Sequence, residues 1–372
     1  MAPLRCLLCS ALLLVLALPA HAQTPPIFQV AWSAPLVEPM TNAWKPRERG
    51  GVTLSPSGTY LYAAATTGLH AFVTATGAPL WKLATTERVD SAPVVFDGKV
   101  YAATMAGVIY AVDGVTGEPL WPEPARTELS VQSPLAADAR HIYVAADPGV
   151  LIALHRENGK PSWRYNADVG RDFLVEGQGG PLVVGGLVFL GTPGGKLVAL
   201  GARDGGLTWS VPLDRGDHGP YADVDTTPVL VHRSGGDWLL AASHSGGLFA
   251  VTAAEGNTVW HYEAEGIGPP QVLGDRVYAI SALGQIHVVD LATGKRILAR
   301  KIGGNVSGNV ALAPGGIALV PCEMGLDAVS LETGRDLSRA GNEFGFTAPP
   351  RVWGQIAYAV SNGGILYALA LR

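Results

Sequence analysis

Apolar and polar positions change places in runs of five or six residues along most of the chain, and glycine-bearing turns separate the runs. Short alternating runs of this kind predict β-strands with one face buried. The stretch around Trp121 shows the unit. It predicts a strand from Ala92 to Phe96, a second from Val100 to Thr104, a third from Val108 to Asp113, and a fourth opened by Leu120-Trp121. Asp97-Gly98 and Thr116-Gly117 supply turns, where glycine tolerates the positive φ that tight turns need.

The unit repeats. A turn glycine followed four residues later by Trp recurs at Gly77, Gly117, Gly159, Gly205 and Gly256, and again at Gly294 and Gly334, where Leu298 and Ser338 replace the Trp. The glycines are 40, 42, 46, 51, 38 and 40 residues apart. Four short strands at this period predict the blade of a β-propeller. The last unit, from Ala357 to Arg372, lacks a fourth strand, and Ala31-Trp32-Ser33-Ala34-Pro35-Leu36 matches Thr208-Trp209-Ser210-Val211-Pro212-Leu213. The expected fold is therefore all-β. It is a single eight-bladed β-propeller of four-stranded blades over residues 23–372, its ring closed by the N-terminal strand completing the last blade. Closure removes sheet edges that would otherwise pair with other chains. The recurrent tryptophans are expected to wedge between blades.

Composition agrees with many short strands: charged residues are 15%, with 47 Gly and 27 Pro. A net charge of −5 implies no large basic surface, so nucleic acid is not an expected partner. Residues 1–22 read as a cleaved signal peptide, with Arg5, an apolar stretch from Leu7 to Leu18 and an Ala20-His21-Ala22 cleavage site. Cys6 and Cys9 leave with it. Leu8 stands before Cys9 where a lipid-anchor site has a small residue, so membrane association is expected only through partners. Cys322 lies in an apolar run and is expected to be a buried, inert thiol.

A propeller's function lies in its loops. From each Trp to the Pro opening the next unit, the connection is 12 residues at Trp81–Pro93, 13 at Trp121–Pro134 and 10 at Trp260–Pro270. It lengthens to 18 at Trp163–Pro181 and 19 at Trp209–Pro228. These two are consecutive, hence neighbours on one face, and a third long connection from Trp32 to Gly51 lies on that face too. The first insertion presents Phe173, Leu174, Val175 and Glu176 among glycines; the second carries Asp223 and Asp225. In an extended segment those two carboxylates point the same way. Like charges that close need donors or a cation. Two readings stay open: nearby backbone N–H groups satisfy them and fix the loop, or an Arg or β-edge of a partner does. There is no G-x-S-x-G, Walker loop or H-E-x-x-H, and His218 near Asp214 and Asp217 has no distinctive metal-ligand spacing. No catalytic, cofactor-binding or metal-binding residue is assigned.

The eight-fold phrase resembles the pyrroloquinoline-quinone (PQQ)-type propeller repeat over nearly all of the mature chain. Asp223-Val224-Asp225-Thr226-Thr227-Pro228-Val229 is similar to the D-V-D-T-T-P-V segment of the BamB family, scaffold lipoproteins of the outer-membrane β-barrel assembly machinery. The resemblance implies a non-enzymatic periplasmic scaffold that binds the polypeptide-transport-associated (POTRA) domains of a BamA-like subunit through the two Asp residues and the preceding loop. There Phe173, Val175 and Glu176 stand at the family's Leu, Leu and Arg, so Glu176 reverses one charge. Leu174 adds to the apolar contact. Unfolded outer-membrane protein clients are a second implied partner. The PQQ-type repeat also admits a quinoprotein dehydrogenase using PQQ and Ca²⁺. Those enzymes are usually longer and often carry adjacent paired cysteines near the cofactor, and no loop here offers an oxygen-rich cage for calcium. A generic ligand-binding propeller is the third reading. No cofactor is expected.

Overall fold

In the computed structural model each predicted run pairs with the next as an antiparallel hairpin. The structure describes residues 27–38, 48–168, 179–213, 223–302, 306, 309–341 and 344–372. Among them, 32 strands form eight four-stranded sheets. Blades 1 to 7 span residues 52–84, 94–126, 136–166, 182–212, 229–262, 271–301 and 311–341. Blade 8 combines Arg351–Trp353, Ile356–Val360 and Ile365–Leu371 with the N-terminal strand Phe28–Pro35. That strand runs antiparallel to the C-terminal one, from Phe28 opposite Leu371 to Pro35 opposite Ile365, and closes the ring as expected. The signal-peptide reading concerns residues outside the described ones.

Burial follows position in the blade. In blade 3 the second and third strands, His141–Ala146 and Val150–His155, are buried almost throughout, whereas the fourth, Pro161–Asn166, alternates half-buried and exposed. First strands of neighbouring blades touch around the axis and line a channel of ≈ 740 Å³.

One strand departs from expectation. The fourth strand of blade 2 is Ala125–Arg126, not a strand opened by Leu120-Trp121. Pro122 and Pro124 remove two backbone donors, so the ladder is broken after Leu120 donates to the Ala111 carbonyl. Trp121 still occupies its place between blades.

The tryptophans wedge in one repeated way. The indole N–H of Trp32 donates to the Thr74 carbonyl at 3.0 Å, that of Trp81 to Gly114 at 3.0 Å, and that of Trp121 to Arg156 at 3.0 Å. Trp163, Trp209 and Trp260 donate likewise to Ala202, Ala253 and Leu291 at 3.2, 3.2 and 2.9 Å. Each ring therefore satisfies its polar atom on the next blade's turn while its body stays in the interface. Each also lies against the glycine of that turn. Gly205 has φ +73, and a Cβ there would sit 2.6 Å from Trp163 Cε3. Gly205→Ala is expected to cost about 2 kcal/mol or more, from the left-handed backbone and the displaced indole, as read from the midpoint of urea unfolding. Where Trp gives way to Leu298, Arg300 covers Gly334 and donates to the Thr333 carbonyl at 2.8 Å.

Cys322 is buried, and burial followed by the neighbouring Asp327 carboxylate pushes its thiol up to about 12, which keeps it protonated and unreactive. Asp327 itself is buried and held by a two-pronged contact from Arg339, whose Nη2 is 2.7 Å from Oδ2.

Candidate functional site

Strand direction alternates within a blade, so the blade-to-blade connections and the hairpins joining second to third strands share one face. On that face five of the connections drive one apolar residue each into the core among the described residues. Val89, Val131, Val224, Ile267 and Phe346 are these plugs, none more than 2% exposed. The residue before the plug receives a hydrogen bond on its carbonyl from the hairpin of its own blade: Met105 N–H to Arg88 at 3.0 Å in blade 2, His244 N–H to Asp223 at 3.0 Å in blade 5. The plug geometry is thus the same, and the flanking side chains are free to differ.

In blade 2 the flanks are Arg88 and Asp90, and they neutralise each other, with Arg88 Nε 2.6 Å from Asp90 Oδ1. In blade 5 the flanks are Asp223 and Asp225, so the guanidinium is replaced by a second carboxylate. Val224 belongs to one buried cluster with Phe189, Leu197 and Leu239, which fixes both acids beside the loop face. Asp223 is buried and Asp225 half-buried. Burial raises the Asp225 carboxyl to about 6; its own backbone N–H and His244 oppose the rise and Asp223 adds to it. Asp225 Oδ1 is buried and has no hydrogen-bond partner among the described residues. The locally satisfied alternative is realised elsewhere on the face. Glu48 of the Trp32–Gly51 connection accepts from the Thr66 N–H at 2.8 Å and the Thr66 hydroxyl at 2.7 Å, one donor for each oxygen.

The two long connections meet as expected from their spacing. The Gly180 N–H donates to Thr227 Oγ1 at 2.7 Å. A Cβ on Gly179 would lie 2.2 Å from the Thr226 carbonyl carbon, so only glycine lets the strands of chain approach so closely. Phe173, Leu174, Val175 and Glu176 lie outside the described residues, as do Asp214, Asp217 and His218. His244 was not singled out from the sequence. The repeat could have found it, because it occupies the hairpin position that Met105 holds in blade 2.

The axial channel offers a poor fit to a metal-bound quinone. Val, Leu and Pro dominate its lining, Arg351 is its one charged residue among the described ones, and no carboxylate faces it. No group of three or more His, Cys, Asp or Glu side chains clusters with metal-ligand geometry among the described residues. Calcium takes six to eight oxygen ligands, commonly with carboxylates among them.

Comparison with known proteins gives a consistent answer. A family model described as outer membrane protein assembly factor BamB matches residues 29–130 and 94–300. Outer membrane protein assembly factor BamB of Vibrio cholerae is 29% identical over 150 residues, 39% of this chain and 38% of that protein. The match spans only part of such relatives, 38% of the Vibrio cholerae protein and 61% of the BamB of Xanthomonas campestris. The crystal structure of BamB from Moraxella catarrhalis superposes with a TM-score of 0.78 at 20% identity, covering 93% of this chain and 100% of that one. A europium-containing methanol dehydrogenase superposes with a TM-score of 0.72 at 13% identity, over 92% of this chain and 93% of that one. At these identities the two superpositions speak for the fold alone. The family match covers well over half of the chain, from the closing strand to blade 6, and on it the chain belongs to the family of outer membrane protein assembly factor BamB.

Proposed function

We propose that this chain is a non-enzymatic periplasmic scaffold that binds the POTRA domains of a BamA-like subunit and so assists outer-membrane β-barrel assembly. One observation carries the reading. The connection into blade 5 holds two carboxylates around a buried plug where blade 2 holds an internal ion pair, and among the described residues one buried carboxylate oxygen, Oδ1 of Asp225, has no hydrogen-bond partner. A buried acceptor in that state costs stability, and an arginine or an exposed strand edge of a partner would complete it. Phe173, Leu174 and Val175 of the adjoining connection supply apolar contact area in this reading. Glu176 meets a basic residue of the partner. Unfolded clients are a second class of partner, and the protein reaches the membrane through the subunit it binds.

The test is a calorimetric titration of the purified mature chain with the soluble POTRA domains from the same host. Saturable binding is expected. A folded chain that leaves the domains unbound would overturn the proposal. Dye-linked oxidation of alcohols or sugars after addition of PQQ and Ca²⁺ would do so as well. The exported protein is expected to begin at Gln23, checked by its intact mass.

A further inference from the structure

The opposite face of the ring, formed by the turns joining first to second and third to fourth strands, carries a basic groove on blade 3. Its volume is ≈ 570 Å³. Lys99 of blade 2, Arg140 and Arg156 of blade 3, and Arg203 of blade 4 line it, and Glu157 is the one carboxylate in its wall among the described residues. Four fixed cations thus converge in a chain whose net charge is −5.

The fold does not demand these side chains. Arg156 stands at the turn position that receives the wedge tryptophan, a role its carbonyl fills. Thr74, Gly114, Ala202, Ala253 and Leu291 fill the same role in other blades. The guanidinium of Arg156 is nevertheless held in place. It lies 4.9 Å from the Phe96 ring centroid, donates from Nε to the Ala139 carbonyl at 3.2 Å, and has the exposed Asp97 carboxylate 3.4 Å from Nη1. Arg140 and Arg203 are exposed, and among the described residues neither guanidinium has a hydrogen bond or ion pair. The other nearby acids are engaged in their own turns. Asp138 accepts from the backbone N–H groups of Arg140 and His141 and from the Tyr143 hydroxyl, each at 2.7 Å. Asp113, opposite Lys99, accepts from the N–H groups of Val115 and Thr116.

The floor adds two imidazoles. His141 and His155 face each other directly across the second and third strands, with ring centroids 5.4 Å apart. His141 Nε2 lies 3.1 Å from Ser162 Oγ, which also lines the groove. At the position of His155, blades 2 and 6 have Asp113 and Asp290, which cap their turns. Blade 3 gives up that cap for an exposed imidazole that lines the groove.

We propose that this groove is a binding site for a phosphate-bearing anion, a diphosphate or a phosphomonoester, presented by a soluble compound or by a lipid headgroup. Planar guanidinium forks match the oxygens of such groups in paired hydrogen bonds. The site lies on the face away from Asp223 and Asp225, so it and the scaffold interface are separate surfaces and are tested separately.

The experiment titrates the mature chain with inorganic pyrophosphate by calorimetry, and floats it with phosphatidylcholine vesicles with and without phosphatidic acid. The R140E/R203E variant removes two exposed, unpaired guanidiniums and is checked for an unchanged circular dichroism spectrum. K295E/K301E serves as a control outside the groove. Saturable pyrophosphate binding, weakened about 100-fold or more in R140E/R203E and retained in K295E/K301E, is the expected result. Flotation only with phosphatidic acid, lost in the same variant, identifies the headgroup as the source; pyrophosphate binding without flotation identifies a soluble ligand. Failure of both arms with wild-type protein, or equal losses in the two variants, overturns the proposal.

Discussion

Removing residues 23–35 from the mature chain is expected to abolish the folded monomer. The strand Phe28–Pro35 is the fourth strand of blade 8, and its loss leaves Ile365–Leu371 as a bare edge in a closed ring. Trp32 goes with it. That indole donates to the Thr74 carbonyl at 3.0 Å, lies against Gly77 in blade 1, and is tilted against Phe72 and Tyr358, with centroids 6.4 and 5.9 Å away. Losing a packed Trp alone costs about 3–5 kcal/mol. The backbone ladder and the burial of Ala34 add to this, against a total stability of about 5–15 kcal/mol for an ordinary domain. The newly bared apolar edge is also a template for pairing with other chains. Size-exclusion chromatography should show aggregates, and heating should show no cooperative transition. A monomer with an unchanged melting temperature would contradict the closure argument.

The second large effect concerns partner affinity. Asp225→Lys is expected to weaken binding to the POTRA domains about 100-fold, the range found when one member of a buried interfacial charge pair is reversed or removed. The propeller should stay folded, because Val224 and not Asp225 plugs the blade. The pH dependence has a definite sign. The Asp225 carboxyl is raised from 3.8 to about 6 by burial. Between those values the folded chain keeps a proton that the unfolded chain has lost. Stability therefore falls as pH rises through this window, and the cost is fully present above about 6. A partner cation stabilises the ionised form, so binding should tighten from about pH 5 to about pH 7.5. Asp225→Asn should weaken binding at pH 7, flatten this dependence and raise the stability of the free protein. Titrations at three pH values separate these outcomes, and an Asn variant with the wild-type pH profile would remove Asp225 from the interface.

The blade count and ring closure were legible in the chain because one Gly and one Trp mark six of the eight interfaces, and both are required by the same contact. The break in the fourth strand of blade 2 was legible in principle from Pro122 and Pro124, but the Leu120-Trp121 match overrode it. The acidic pair was visible as residue types. What the linear sequence hid was its context. Only the superposed connections reveal that Val224 is a plug and that Arg88 neutralises Asp90 where Asp223 stands beside Asp225. The basic groove was hidden for a related reason: its members come from Lys99 to Arg203, and three blades must close before they meet.

The most direct measurement is hydrogen–deuterium exchange of the mature chain with and without saturating POTRA domains. The scaffold reading predicts new protection at 179–182 and 223–228, on the long-connection face, with exchange at the turns around 139–140 and 156–159 unchanged. Protection confined to those turns, or a formed complex with no protection at 223–228, would contradict it.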